Sequence, residues 1–137
     1  MLLEAGDGDP SSDVVTDPNK WFLSFGTNID YRYSYSRKAI VYARINQQSE
    51  AHNAGKEILP LEFILFGNPK AGGMIMAENP IAALDLPLKI IAWQDAEKSV
   101  WVAYNSASYL EERYALSHDV IKPADLDPLI NSVISKT

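Results

Sequence analysis

The chain has 137 residues, 47% of them hydrophobic, and a formal net charge of −6, which suits one domain with one core and argues against a second independent unit. It contains no cysteine, and this excludes disulfides, thiolate metal ligands, cysteine nucleophiles and thiol redox pairs. The charge excess is acidic and no basic run breaks it, which argues against nonspecific nucleic-acid binding, because that binding draws on counterions released by Lys and Arg.

Met1 to Pro10 lack the positive start and apolar run of a signal peptide, and no later apolar stretch approaches membrane-spanning length. A cytoplasmic location with no membrane partner is therefore expected. Residues 1–19 hold Glu4, Asp7, Asp9, Asp13 and Asp17 and no Lys or Arg. Their Asp, Gly, Ser and Pro content cannot bury enough surface to offset chain entropy, so an acidic flexible tail is expected there. Residues 20–137 are then expected to form the single folded unit.

Trp21-Phe22-Leu23-Ser24-Phe25 reads as a short strand, and Gly26-Thr27-Asn28 can turn the chain and cap a helix. From Asn28 to Lys38 two readings stay open. Ile29, Tyr31, Tyr33 and Tyr35 alternate as a strand would, whereas the family comparison below asks for a helix. Ala39 to Ile45 is a β run of branched and aromatic residues. Gln47 to Lys56 reads as a short helix with Gly55 near its C-terminal end. Leu61 to Phe66 is the next strand, apolar on both faces apart from Glu62, which predicts cover on both sides of the sheet.

Phe66-Gly67-Asn68-Pro69 ends that strand and opens a helix, since Asn is a favoured N-cap and Pro is tolerated at the first helical position. The same device recurs at Asn79-Pro80 and Asp127-Pro128. Leu88 to Trp93 and Val100 to Tyr104 form a β-hairpin whose loop, Asp95 to Ser99, has no Gly and so exceeds a tight two-residue turn. Ser106 can cap a helix through Leu116, with Tyr109, Leu110 and Arg113 on adjoining positions. Leu126, Leu129, Ile130, Val133 and Ile134 carry the spacing of an amphipathic helix over about 126–135, which must dock on its own core or on a partner.

For chemistry, the turn from Phe66 to Lys70 is the strongest candidate, because helix N-terminal amides, a flexible Gly and a nearby Lys suit an anion. The phosphate-loop signature is missing, and turning, capping and helix initiation by Gly67, Asn68 and Pro69 is the commoner use of these residues. Asp85, between Leu84 and Leu86, would become an acid or base if partly buried. It serves as readily to cap a turn or pair with Lys89, and Glu62 carries the same ambiguity. His52 and His118 are the only histidines and lack metal-site spacing. No Gly-x-Ser-x-Gly elbow appears. Tyr31, Tyr33, Tyr35, Tyr42, Trp93 and Trp101 would line a pocket for an apolar or planar ligand, with core and dimer packing the cheaper explanation. Met74 and Met76, beside Gly72 and Gly73, read as adaptable packing or a pocket lip.

Ordered blocks carry a resemblance: Tyr42-Ala43-Arg44-Ile45, Leu65-Phe66-Gly67-Asn68-Pro69-Lys70-Ala71-Gly72, Ala83-Leu84-Asp85-Leu86-Pro87-Leu88-Lys89, and Val100-Trp101-Val102-Ala103-Tyr104-Asn105 followed by Tyr109-Leu110-Glu111-Glu112-Arg113. Together they resemble domain-of-unknown-function family 302 over roughly Trp21 to His118. The resemblance implies a compact α+β domain, often a dimer, with no established activity. Asn46-Gln47 stand where that family commonly has Asp-His, the usual hairpin Gly is absent around Lys98-Ser99, and a Tyr-rich stretch replaces a Leu and Ala helix. The segment after His118 reads as an extension.

The fold class expected is α+β, a single domain with a mainly antiparallel sheet and helices packed on it. The function expected is a noncatalytic small-ligand-binding or interaction module that forms a homodimer, with a small anionic or apolar ligand near Gly67, Asn68, Lys70 and Asp85. No cofactor and no metal are expected. The alternative is an enzyme using Asp85 or Glu62 as general acid or base on a small substrate.

Overall fold

The branched and aromatic runs become strands, and their alternating side chains decide which face of the sheet is buried. In the computed structural model the described residues are 2–4 and 40–134, with the side chains of 2–4 and 132–134 left out. The strand expected at Trp21 to Phe25, the two readings of Asn28 to Lys38 and most of the acidic segment lie outside them.

Five strands, β1 (Leu2–Glu4), β2 (Ile40–Asn46), β3 (Leu61–Gly67), β4 (Leu88–Gln94) and β5 (Val100–Tyr104), form an antiparallel sheet in the order β1-β5-β4-β3-β2. Register places Ile64 beside Ile90, which lies beside Tyr104, and Ala92 beside Val102. With Phe66, Leu88 and Val100, these residues form the buried face. Ile64, Phe66, Ile90 and Val102 are fully buried, each worth about 1.5–3 kcal/mol of apolar transfer. The opposite face carries Ala43 and Ile45, then Phe63 and Leu65, Ile91 and Trp93, and Trp101, all apolar and only partly buried, together with the exposed Lys89 beside Leu65.

Helices that follow β3 cover the buried face, and short polar side chains start several of the helices. α1 (Gln47–Asn53) begins at Asn46, whose side chain accepts the Ser49 amide at 3.0 Å. It is followed by Gly55 at φ 79, in the left-handed region where Gly has no Cβ penalty. α2 (Pro69–Glu78) is capped by Asn68, which accepts from the amides of Lys70 and Ala71 at 2.9 and 3.3 Å. In the 3-10 turn Pro80–Asp85 the device repeats: Asn79 accepts the Ile81 amide at 3.1 Å and donates to the Tyr114 carbonyl at 2.9 Å.

α3 (Ala107–Tyr114) is capped by Ser106 and ends at Ala115, which is left-handed at φ 49. α4 (His118–Ile121), a 3-10 turn (Lys122–Ala124) and α5 (Asp127–Ile134) complete the chain. The Asp127-Pro128 pair works differently from the two Asn-Pro caps: Asp127 Oδ1 accepts the Tyr104 hydroxyl at 2.6 Å and ties α5 to the sheet.

The segment after His118 is core and no extension. Ile121, Leu126 and Ile130 are at most 1% exposed, so the amphipathic helix docks on its own domain. Withdrawing three such aliphatic side chains would leave cavities, each costing about 2–5 kcal/mol.

Candidate functional site

The β3–α2 turn opens onto a cavity of about 160 Å³. Gly67, Leu88 and Ile75 are among the residues at its base, and Ala71, Gly72 and Met76 form the α2 wall. Tyr42, Pro87 and Pro123 contribute from three other parts of the chain. Tyr42 belongs to β2, where the register with β3 shifts between Val41 and Ala43, so it is the extra residue of a β-bulge. A bulge re-aims a side chain and breaks the alternation that a regular strand imposes. Tyr42 is 50% exposed and stands as a partly open wall.

Gly72 lies inside a ten-residue helix, where Gly costs about 1 kcal/mol relative to Ala. Its backbone is not in the left-handed region, and a Cβ added to it would meet nothing within 4 Å. Neither backbone geometry nor close packing therefore accounts for the missing side chain. What it leaves is cavity volume.

The first turn of α2 has no amide to spare for an anion. Pro69 has none, Lys70 and Ala71 donate to the Asn68 side chain, and Gly72 donates to the Asn68 carbonyl at 2.8 Å. A more open and polar recess of about 560 Å³ adjoins the cavity across Asn68, Ala71 and Pro123, and brings in Asp119, Lys122 and Asp125.

Of the residues singled out in the sequence, Gly67 and Asn68 line the cavity, while Lys70 is exposed and Asp85 lies outside the lining. Asp85 Oδ2 accepts Arg113 Nη1 at 2.7 Å and the Tyr114 hydroxyl. Burial first, and then the bond to Asp85, push the Tyr114 phenol above its ordinary range, while the Asp85 charge holds the Arg113 proton more firmly. The partner expected for Asp85, Lys89, instead sits over the Phe63 ring at 4.7 Å.

Glu62 pairs in register with Ala92, four positions along β3 from Phe66, at about 3.3 Å per residue. Asp85 ends the 3-10 turn Pro80–Asp85 and is not part of the sheet, so the two carboxylates stand on different elements. Asn46, standing where the resembling family commonly has Asp, caps α1. His52 faces Glu57 at 2.6 Å on the surface, and no group of three or more His, Asp or Glu among the described residues could hold a metal.

The bulge that turns Tyr42, and the return of Pro87 and Pro123 to the same wall, are long-range features without a local signature. The Gly67-Asn68 turn, Tyr42 among the aromatics and the paired glycines of α2 are the sequence signals that point here.

A family model described as domain of unknown function DUF302 matches residues 35–135. A 76-residue stretch covering 56% of the chain is 36% identical to fluoride-specific ion channel FluC 1 of Brucella suis biovar 1 (strain 1330) and to FluC 1 of Brucella abortus biovar 1 (strain 9-941). This match spans only 30% and 28% of those two proteins. The crystal structure of an uncharacterized conserved DUF302 protein from Bacillus stearothermophilus shares the fold, with a TM-score of 0.66 over 99% of this chain and 92% of that one at 12% identity. No helix among the described residues is long and apolar enough to cross a membrane.

Proposed function

The chain belongs to the DUF302 family, and from that premise we propose that it is a noncatalytic module that binds a small ligand beside the β3–α2 turn and self-associates. The observation that carries the reading is Gly72: a destabilising glycine kept inside α2, where a side chain would meet open space and narrow the cavity. Concave, mainly apolar sites with a few polar groups are the usual form of small-molecule pockets. The second face of the sheet, apolar and partly exposed apart from Lys89, supports self-association, because antiparallel sheets more often place polar residues on an open face.

Similarity confined to less than a third of the Brucella channels suits a module joined to other working parts. The enzyme alternative is disfavoured by Asp85, whose Oδ2 is engaged by Arg113 and Tyr114. A thermal-shift screen of small molecules tests the binding reading. Hits that stabilise the wild type but not Gly72→Leu support it, whereas hits unaffected by that substitution sink it. Light scattering over a concentration series tests self-association, and a monomer mass throughout removes that part.

A further inference from the structure

We infer that the ligand of this cavity is a small neutral molecule with a compact apolar body of one or two rings, held against Tyr42. This rests on the reading of the cavity as a binding site. Size comes first. The volume of about 160 Å³ is close to that of an engineered apolar cavity of about 150 Å³ that takes up benzene.

Charge comes second. No lining side chain is ionisable except the Tyr42 phenol, and the nearby helix amides are already bonded within the turn. An ion placed here would lose part of its water and find no counter-charge in the lining, which is costly in an apolar site.

Shape comes third. Pro69, Pro87 and Pro123 contribute rings fixed at φ near −65°, so the walls are preformed and little ordering is needed on binding. Tyr42, turned by the bulge, offers a ring face for stacking and one hydroxyl for a single hydrogen bond.

The test uses three probes that share one ring system: indole, indole-3-acetate and tryptamine, neutral, anionic and cationic near neutral pH. Binding is measured by calorimetry on the full chain. Indole is expected to bind at least tenfold more tightly than either charged relative, to lose measurable binding in Gly72→Leu, and to weaken at least fivefold in Tyr42→Ala. Circular dichroism checks that each variant folds; should Gly72→Leu not fold, Tyr42→Ala on the exposed edge strand carries the test. A charged probe that equals or exceeds indole, and is lost in these variants, overturns the neutral ligand while leaving the binding site standing. No binding by any probe, or binding indifferent to both substitutions, overturns the site as well.

Discussion

Asp85 and Tyr114, 29 positions apart in the chain, are joined by a hydrogen bond in which the phenol donates to Asp85 Oδ2. Arg113 Nη1 donates to the same oxygen at 2.7 Å, and its guanidinium lies 5.2 Å from the Tyr114 ring. One carboxylate therefore clamps the 3-10 turn Pro80–Asp85 to α3, while Asn79 clamps the start of that turn to the Tyr114 carbonyl. Replacing Asp85 by Asn removes the charge that both partners use, and charged acceptors make the stronger hydrogen bonds. Asp85→Asn is expected to lower Tm by several degrees with indole affinity unchanged. A wild-type melting curve by circular dichroism would contradict the clamp, and a loss of indole binding at unchanged Tm would move Asp85 into the site.

Tyr104 is 5% exposed and donates to Asp127 at 2.6 Å. Burial first, then the bond to Asp127, raise its phenol well above the ordinary value, and Tyr114 shifts in the same direction. Below about pH 10 the folded and unfolded chains both hold these protons, so their contribution to stability is whole. Above that pH the unfolded chain releases them first, and stability falls as pH rises. Tyr104→Phe should cost about 1.5–3 kcal/mol near pH 8, the range for a hydrogen bond to a charged group, and should show a shallower alkaline decline. Urea unfolding in half-unit steps from pH 8 to 11.5 checks both. An identical alkaline slope in Tyr104→Phe would show that the phenol is not the group responsible.

What the sequence discloses and what it hides divide along contact range. The Asn68 and Asn79 caps, the Ser106 cap and the β4–β5 hairpin rest on interactions among residues a few positions apart, so residue type and spacing reveal them. Asp85 shows the limit. Local spacing offers Lys89 four positions on, yet β4 carries Lys89 away over Phe63 and α3 delivers Arg113 and Tyr114. The segment after His118 misleads for a related reason: α4 and the 3-10 turns are too short for periodicity to show, and burial of Ile121 and Leu126 arises only once the chain has returned to the sheet. The cavity was half legible, through Gly67, Asn68 and the paired glycines. The sequence marks Tyr42 as a pocket aromatic, but the bulge that aims it here, and the return of Pro87 and Pro123, come only with the fold.

Lys98 and Ala115 hold left-handed backbone, at φ 68 and φ 49. Lys98 completes the hairpin loop, in which Asp95 Oδ1 accepts the amides of Glu97 and Ser99 at 2.9 Å each, and Ala115 ends α3. A residue with a Cβ loses about 1–2 kcal/mol in this region, while Gly loses about 0.4–1 kcal/mol through the greater freedom of its unfolded chain. Lys98→Gly and Ala115→Gly should therefore each stabilise, by roughly 0.5–1 kcal/mol on balance. Urea midpoints at or below the wild type, for both variants, would mean that their side chains make contacts that outweigh the backbone relief.

Gly72 and Gly73 are neighbours in α2, and a Cβ on either would meet nothing within 4 Å. Only Gly72 lines the cavity; Gly73 is exposed. Substituting Ala at either position gains helix propensity of up to about 1 kcal/mol. The two variants should thus melt later than the wild type by similar margins. Their binding should part, because Gly72 lines the cavity proposed to hold the ligand and Gly73 does not. Indole affinity is expected to fall several-fold in Gly72→Ala and to stay at the wild-type value in Gly73→Ala, read by the same calorimetric titration. Equal affinities across the pair would mean that the glycine at the wall has no bearing on occupancy, and the cavity would lose the feature that marks it as more than an imperfection in packing.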